Sequence, residues 1–294
     1  MQRHFFFIAK RFVAGETIDS AAEAVRRLNA HGRLATIDVL GEEVTRPADV
    51  RRTSTAYLDL LDTIESAQLR ANISLKLSAL GLGLDEERCY ASLREIVARA
   101  QRNADSFVRI DMEGSALTQR TLDLFARLFR EHRNVGPVIQ AYLRRSAADI
   151  AHLVELGARV RLCKGAYREP AEVALHDPGA IRRAFLRLAE TLLLHGTYPA
   201  IATHDPQLIE AVRAFAALHG IGADRFEFQM LYGVRPDVQQ RLVEAGYRVR
   251  IYVPFGTQWA RYFSRRVMER RENAVFALRA LLGARTGSIP SKND

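Results

Sequence analysis

Two adjacent arginines, Arg265 and Arg266, sit in a stretch that reads as a helix, ARYFSRRVMERREN. Residues three and four apart share a helix face, so Tyr262 lies one turn before the pair and Glu269 one turn after it. Each guanidinium offers a rigid fork of donors. Two of them beside an aromatic ring and a carboxylate suit a planar anion such as a carboxylate. Taken alone, the stretch fits a solvated arginine face equally well, because Arg270 and Arg271 follow at once. Its surroundings carry more information: an apolar run at 249–253 and a Pro-Phe-Gly turn place this helix directly after a strand.

Polar residues gather at the ends of similar runs throughout the chain. IDVLGE carries Asp38 and Glu42, ISLKLSAL carries Lys76, and VRIDMEG carries Asp111 and Glu113. VIQAYLRR adds Gln140 and Tyr142, and RVRLCKGAYRE adds Arg161, Lys164 and Tyr167. IATHD contributes Thr203, His204 and Asp205, FEFQMLYG contributes Glu227 and Gln229, and RIYVPFG contributes Tyr252. Burying a charge is costly unless it is paired. One or two such residues read as structural pairs, but polar groups at all eight run ends read as a ligand-lined pocket rich in donors, suited to an anionic, polar ligand.

The elements that must position these residues follow from periodicity. Eight apolar runs (34–40, 73–77, 107–112, 137–142, 159–163, 200–203, 226–231 and 249–253) alternate with stretches whose apolar residues recur at three- and four-residue spacing. Such alternation implies parallel strands with helical crossovers, and eight units match a (β/α)8 barrel, whose chemistry sits at the C-terminal ends of the strands. An open doubly wound sheet is the alternative, but no G-x-G-x-x-G follows any strand. Residues 1–30 read as a leading helical segment, 31–282 as the barrel and 283–294 as a flexible tail.

Composition bounds the function. The chain has 294 residues, 48% hydrophobic and 26% charged, and two distant cysteines. A disulfide framework is not expected, and a reducing cytosol is the simpler setting. The start lacks a signal-peptide pattern, and no window approaches the ~20 apolar residues of a spanning helix. The net charge of +9 is dispersed among helices, with no nucleic-acid motif. It reads mainly as solvated helix faces, with some attraction for anionic ligands or a membrane surface. His204 is the single histidine at a run end, so a catalytic metal is not expected. A Schiff base on Lys76 or Lys164 stays open.

These motifs, in this order, resemble the FAD-dependent proline dehydrogenases, both the bacterial single-activity enzymes and the corresponding domain of bifunctional proline-utilisation flavoproteins. The similarity runs from RFVAGET (11–17) to RRENAV (270–275). The resemblance implies a distorted (β/α)8 barrel with a C-terminal helix over the active site. It implies bound FAD, oxidation of L-proline to Δ1-pyrroline-5-carboxylate by hydride transfer from C5 to flavin N5, and a membrane quinone as electron acceptor. The expected setting is cytoplasmic, with transient association at the inner face of the membrane left open. By the same resemblance, Lys76, Asp111, Arg161, Tyr252, Arg265 and Arg266 form the catalytic set. Lys76 and the arginine pair take the proline carboxylate, Tyr167, Leu231, Tyr252 and Tyr262 surround the ring, and Glu269 supports them. Glu42 matches a gate that pairs with Arg265. Arg161 matches the arginine at flavin N5, and Gln140, Cys163, Lys164, Gly165, Ala166, Thr203, His204 and Gln229 match further flavin contacts. Tyr252 favours proline over 4-hydroxyproline, and Trp259 is expected to pack beneath the last helix. The competing readings are another barrel enzyme acting on an anionic substrate, either a flavin-dependent reductase or a lysine Schiff-base aldolase, and a non-catalytic nucleic-acid or membrane-surface protein suggested by charge alone.

Overall fold

The computed structural model describes residues 11–41, 44–260 and 262. The strands are β1 (Leu34–Val39), β2 (Ala71–Leu75), β3 (Val108–Ile110), β4 (Val135–Gln140), β5 (Arg161–Cys163), β6 (Ala200–Ala202), β7 (Glu227–Leu231) and β8 (Arg248–Phe255). A helix α1 (Ile18–Ala30) precedes them. Between them run α2 (Pro47–Ser66), α3 (Glu86–Ala100), α4 (Ser115–Phe129), α5 (Ser146–Glu155), α6 (Pro178–His195), α7 (Pro206–Leu218) and α8 (Pro236–Glu244). Every neighbouring strand pair is parallel, and β1 closes on β8 from Leu34–Arg250 to Val39–Phe255, so the sheet is a closed eight-stranded barrel.

All eight anticipated strands are present, with shifted ends. The second run extends past β2: Lys76 lies one residue beyond it, and the apolar residues that follow form a buried 3-10 turn, Ser78–Leu80. The run records burial, and burial continues where strand pairing stops. The turn ends at Gly81, whose φ of 87° is left-handed and where a Cβ would come within 2.9 Å of Val50. Asp111 likewise sits one residue past β3, with its N–H still donating to the Leu75 carbonyl at 2.8 Å.

The helices pack by the spacing that predicts them. On α4 the buried residues are Thr118, Thr121, Leu124, Phe125, Leu128 and Phe129, a stripe at three- and four-residue intervals. Phe125, Phe185, Phe226 and Phe228 are fully buried, each stabilising the fold by about 1.5–3 kcal/mol. Helix α1 opens on a capping box between Thr17 and Ser20, and it adds Ala21, Ala22, Val25 and Leu28 to the same core against β1 and β8. Charged residues also line the interior: Arg109, Arg161, Glu227 and Arg250 are each at most 5% exposed. They sit on short strands and must therefore find partners across the barrel.

Candidate functional site

Asp111 joins two of those partners at the C-terminal ends of the strands. Its Oδ1 accepts from Arg161 Nη1 at 2.7 Å, and its Oδ2 accepts from the Tyr252 hydroxyl at 2.8 Å. Arg161 is locked further: Nη2 donates to Ser74 Oγ at 2.9 Å and Nε to Gln229 Oε1. Its guanidinium carbon lies 5.5 Å from the Tyr252 ring centroid, within cation–π range. Strands β2, β5, β7 and β8 and the end of β3 thus meet around one guanidinium. Burial, reinforced by the Asp111 and Asp38 carboxylates, pushes the Tyr252 hydroxyl well above its ordinary value. It remains a proton donor to Asp111 throughout the neutral range.

A second buried pair lies beside the first. Lys76 Nζ donates to Asp38 Oδ2 at 2.9 Å, and the Asp38 side chain is wholly buried. The Tyr57 hydroxyl, on α2, lies 3.2 Å from Asp38 Oδ1 and 3.0 Å from the Ser74 carbonyl, and it accepts from the Val39 N–H at 3.3 Å. Burial raises the pKa of Asp38 while Lys76 opposes the rise. Ser74 ties the two clusters together, accepting from Arg161 at its hydroxyl and from Tyr57 at its carbonyl, and the Thr36 hydroxyl lies 2.9 Å from its own.

The rim from β4 to β7 carries the remaining donors. Gln140 donates through Nε2 to the Glu113 carbonyl at 3.0 Å and accepts at Oε1 from the Ala166 N–H at 3.1 Å, which fixes the start of the loop after β5. Farther along, Glu169 accepts from the Ser115 N–H at 2.6 Å and anchors that loop to the start of α4. Gly165 has φ 125°, and a Cβ there would fall inside the Tyr142 ring, so only glycine fits. Lys164 Nζ donates to Asp205 Oδ2 at 2.6 Å, and Arg182 reaches the same oxygen at 3.0 Å. Burial favours the neutral Asp205 acid, but these two cations outweigh it and hold its pKa below the ordinary carboxylate range. Asp205 also caps α7, accepting from the Gln207 N–H at 3.0 Å. His204 Nε2 accepts from the Leu231 N–H at 2.8 Å, which leaves its proton on Nδ1. Thr203 Oγ1 accepts from the Asp205 N–H at 3.1 Å.

Of the residues singled out in the sequence, Lys76, Asp111, Arg161, Tyr252 and Gln229 share one contiguous network with Asp38 and Ser74. Gln140, Cys163, Lys164, Gly165, Ala166, Tyr167, Thr203 and His204 lie along the adjoining rim, Cys163 and Tyr167 being partly buried. Leu231 pairs with Tyr252 across β7 and β8. Tyr262 is buried with Val13, Leu40 and Trp259, and Tyr252 packs against this group. Trp259 also donates from Nε1 to Glu16 at 3.0 Å. Glu42, Arg265, Arg266 and Glu269 lie outside the described residues. Sequence reading missed Ser74 and Tyr57 and gave Asp38 no role. Asp38 ends a strand and was visible, whereas Tyr57 lies mid-helix with the periodicity of any core residue.

A closed parallel barrel whose C-terminal face carries a buried arginine, lysine and carboxylate network defines a (β/α)8-barrel enzyme. The family described as proline dehydrogenase matches residues 21–279. Proline dehydrogenase 1 of Bacillus subtilis is 43% identical over 274 residues, covering 93% of this chain and 90% of that one. Proline dehydrogenase of Deinococcus radiodurans is 41% identical over 280 residues, covering 94% and 90%. Proline utilization A of Bdellovibrio bacteriovorus superposes with a TM-score of 0.85 at 24% identity, over 99% of this chain. The chain spans only 36% of that larger protein, a likeness of fold. The chain belongs to the proline dehydrogenase family.

Proposed function

We propose that the protein oxidises L-proline to Δ1-pyrroline-5-carboxylate with FAD as the acceptor, and that a membrane quinone then takes the electrons. The observation that carries the reading is the Asp111–Arg161–Tyr252 constellation at the C-terminal face of a barrel of this family. The rim suits a flavin. Gly165 leaves backbone where a side chain would collide with Tyr142, and Gln140, Arg161, Lys164, Thr203, His204 and Gln229 supply polar groups around it. Cys163 and Ala166 would complete the cradle. When bound, FAD supplies the two-electron acceptor, at N5, for a hydride leaving proline C5.

The remaining work falls to side chains. In this reading Arg265 and Arg266, with Lys76, clamp the carboxylate. Tyr167, Leu231, Tyr252 and Tyr262 enclose the ring, Glu269 steadies the clamp, and Glu42 exchanges with the substrate for Arg265. Orientation is the main contribution, because a fixed near-attack geometry removes most of the entropic barrier. The neutral amine is the reactive form: loss of hydride from C5 would leave a protonated imine, which releases its proton to water. Asp111 is not placed as a free base, because both its oxygens already accept hydrogen bonds. It holds Arg161 and Tyr252 in position. Lys76 is engaged with Asp38, the wrong arrangement for the amine nucleophile of an aldolase.

Anaerobic titration tests the reading. L-proline should bleach the visible flavin band of the purified protein. A flavin-loaded sample that proline leaves unbleached would rule out the substrate.

A further inference from the structure

The opposite end of the barrel holds a second cluster that the proposed chemistry does not use. A solvent-open cavity of about 580 Å3 lies where the strands begin, lined chiefly by Arg70, Asp105, Arg159, Tyr198, Arg248 and Arg250. That size is ordinary for a small-molecule site. Four guanidiniums face the Asp105 carboxylate, with Glu227 behind it accepting from the Tyr198 hydroxyl at 3.2 Å, and both carboxylates are already engaged. Asp105 Oδ2 accepts from Arg250 Nη1 at 2.7 Å, and Asn72 Nδ2 lies 3.3 Å from both Asp105 oxygens. Arg250 Nε is taken by Glu227 at 2.8 Å. Arg70, Arg159 and Arg248 have no carboxylate in ion-pair range among the described residues.

Arg159 is built in rather than splayed on the surface. Its guanidinium carbon lies 4.3 Å from the Phe107 ring centroid and 4.6 Å from that of Tyr198. Its buried Nε has no hydrogen-bond partner among the described residues. Arg248 Nη1 reaches the Tyr198 hydroxyl at 3.2 Å. Tyr198 itself is held at φ 46°, directly before Pro199. A bulky residue in the left-handed region stores strain, a feature that clusters at ligand sites.

We propose that this N-terminal mouth is a second binding site, for a small polyanion bearing two or more phosphate or carboxylate groups. Three guanidiniums with no carboxylate in ion-pair range among the described residues set the charge, and their planar forks match either kind of oxyanion. The site is separate from the proline pocket and does not depend on the identity of the substrate there.

Calorimetric titration of the flavin-loaded enzyme with pyrophosphate and, separately, citrate tests it. Saturable binding is expected for at least one probe, and the tighter of the two identifies phosphate or carboxylate as the preferred group. Arg159→Gln should weaken that binding at least tenfold. The exposed double variant Arg70→Gln/Arg248→Gln should do the same while leaving proline oxidation unchanged, and it keeps the test valid if Arg159→Gln folds poorly. No saturable binding of either probe up to about 10 mM, a range that would already admit very weak sites, overturns the proposal. So does binding that the double variant leaves unaltered, which would mark an adventitious ion only.

Discussion

Glu227→Gln is the substitution whose cost can be worked out most directly. Glu227 is 2% exposed at the start of β7. Burial alone would raise its pKa, but Arg250 Nε at 2.8 Å, together with Gln229, overcomes the burial and holds the carboxyl at about 2 against an ordinary 4.5. That gap corresponds to about 3 kcal/mol of folding stability at neutral pH. Because the folded value is the lower one, the contribution is complete above the unfolded pKa near 4.5 and fades as pH falls towards 2. Replacing the carboxylate by an uncharged amide should therefore cost about 3 kcal/mol at pH 7 and only about 2 kcal/mol near pH 3.5. Urea denaturation of the two proteins at both pH values gives the comparison. The same cost at both would show that the loss comes from packing and not from charge, and would refute the reasoning. A second consequence reaches the active face. Gln229 donates to Glu227 through Nε2 and accepts from Arg161 through Oε1, so the variant should also lower kcat.

Other outcomes follow from the same contacts. Arg265→Met or Arg266→Met should raise KM for proline strongly while flavin stays bound, and unchanged proline kinetics would remove the clamp. Gly165→Ala drives a Cβ into the Tyr142 ring at a left-handed φ, costs about 1–3 kcal/mol locally, and should lower the flavin-to-protein absorbance ratio; a normal ratio would show that the loop does not cradle the cofactor. Lys76→Met leaves the wholly buried Asp38 carboxylate without its cation and should destabilise the fold by about 3–5 kcal/mol, read as a drop in the denaturation midpoint. Glu42→Ala should change proline KM or the product-release rate, and if stopped-flow finds both unaltered the gate is wrong.

The barrel was legible because its strands are short and buried on both faces, so each reads as an unbroken apolar run rather than an alternating one. The polar rim at the C-terminal ends was legible for a related reason: a polar residue closing such a run breaks the apolar pattern. The same logic fails for Ser74, which is small enough to sit inside β2 without interrupting the pattern. It fails for Tyr57, whose hydroxyl rides on a helix position that packs like any other core residue. It also fails for the arginines at the strand starts. Dispersed in sequence, they read as solvated charge, yet Arg109, Arg159 and Arg250 are drawn together at one end of the barrel by closure of the sheet.

That closure also links the two ends. On β7, Glu227 and Gln229 are two residues apart and so face the same side of the strand. Glu227 takes Arg250, which in turn takes Asp105 at the N-terminal mouth, while Gln229 takes Arg161, which takes Asp111 and through it Tyr252. The Glu227–Arg250 and Gln229–Arg161 links are buried and the other three part-buried, and away from solvent hydrogen bonds to charged groups are stronger and a missing partner is more expensive. The orientation of Arg161 at the C-terminal face is therefore fixed partly by residues at the far end of the barrel. An arginine held by three different side chains has little rotational freedom left, and that rigidity is what a site relying on orientation, with no free base of its own, requires.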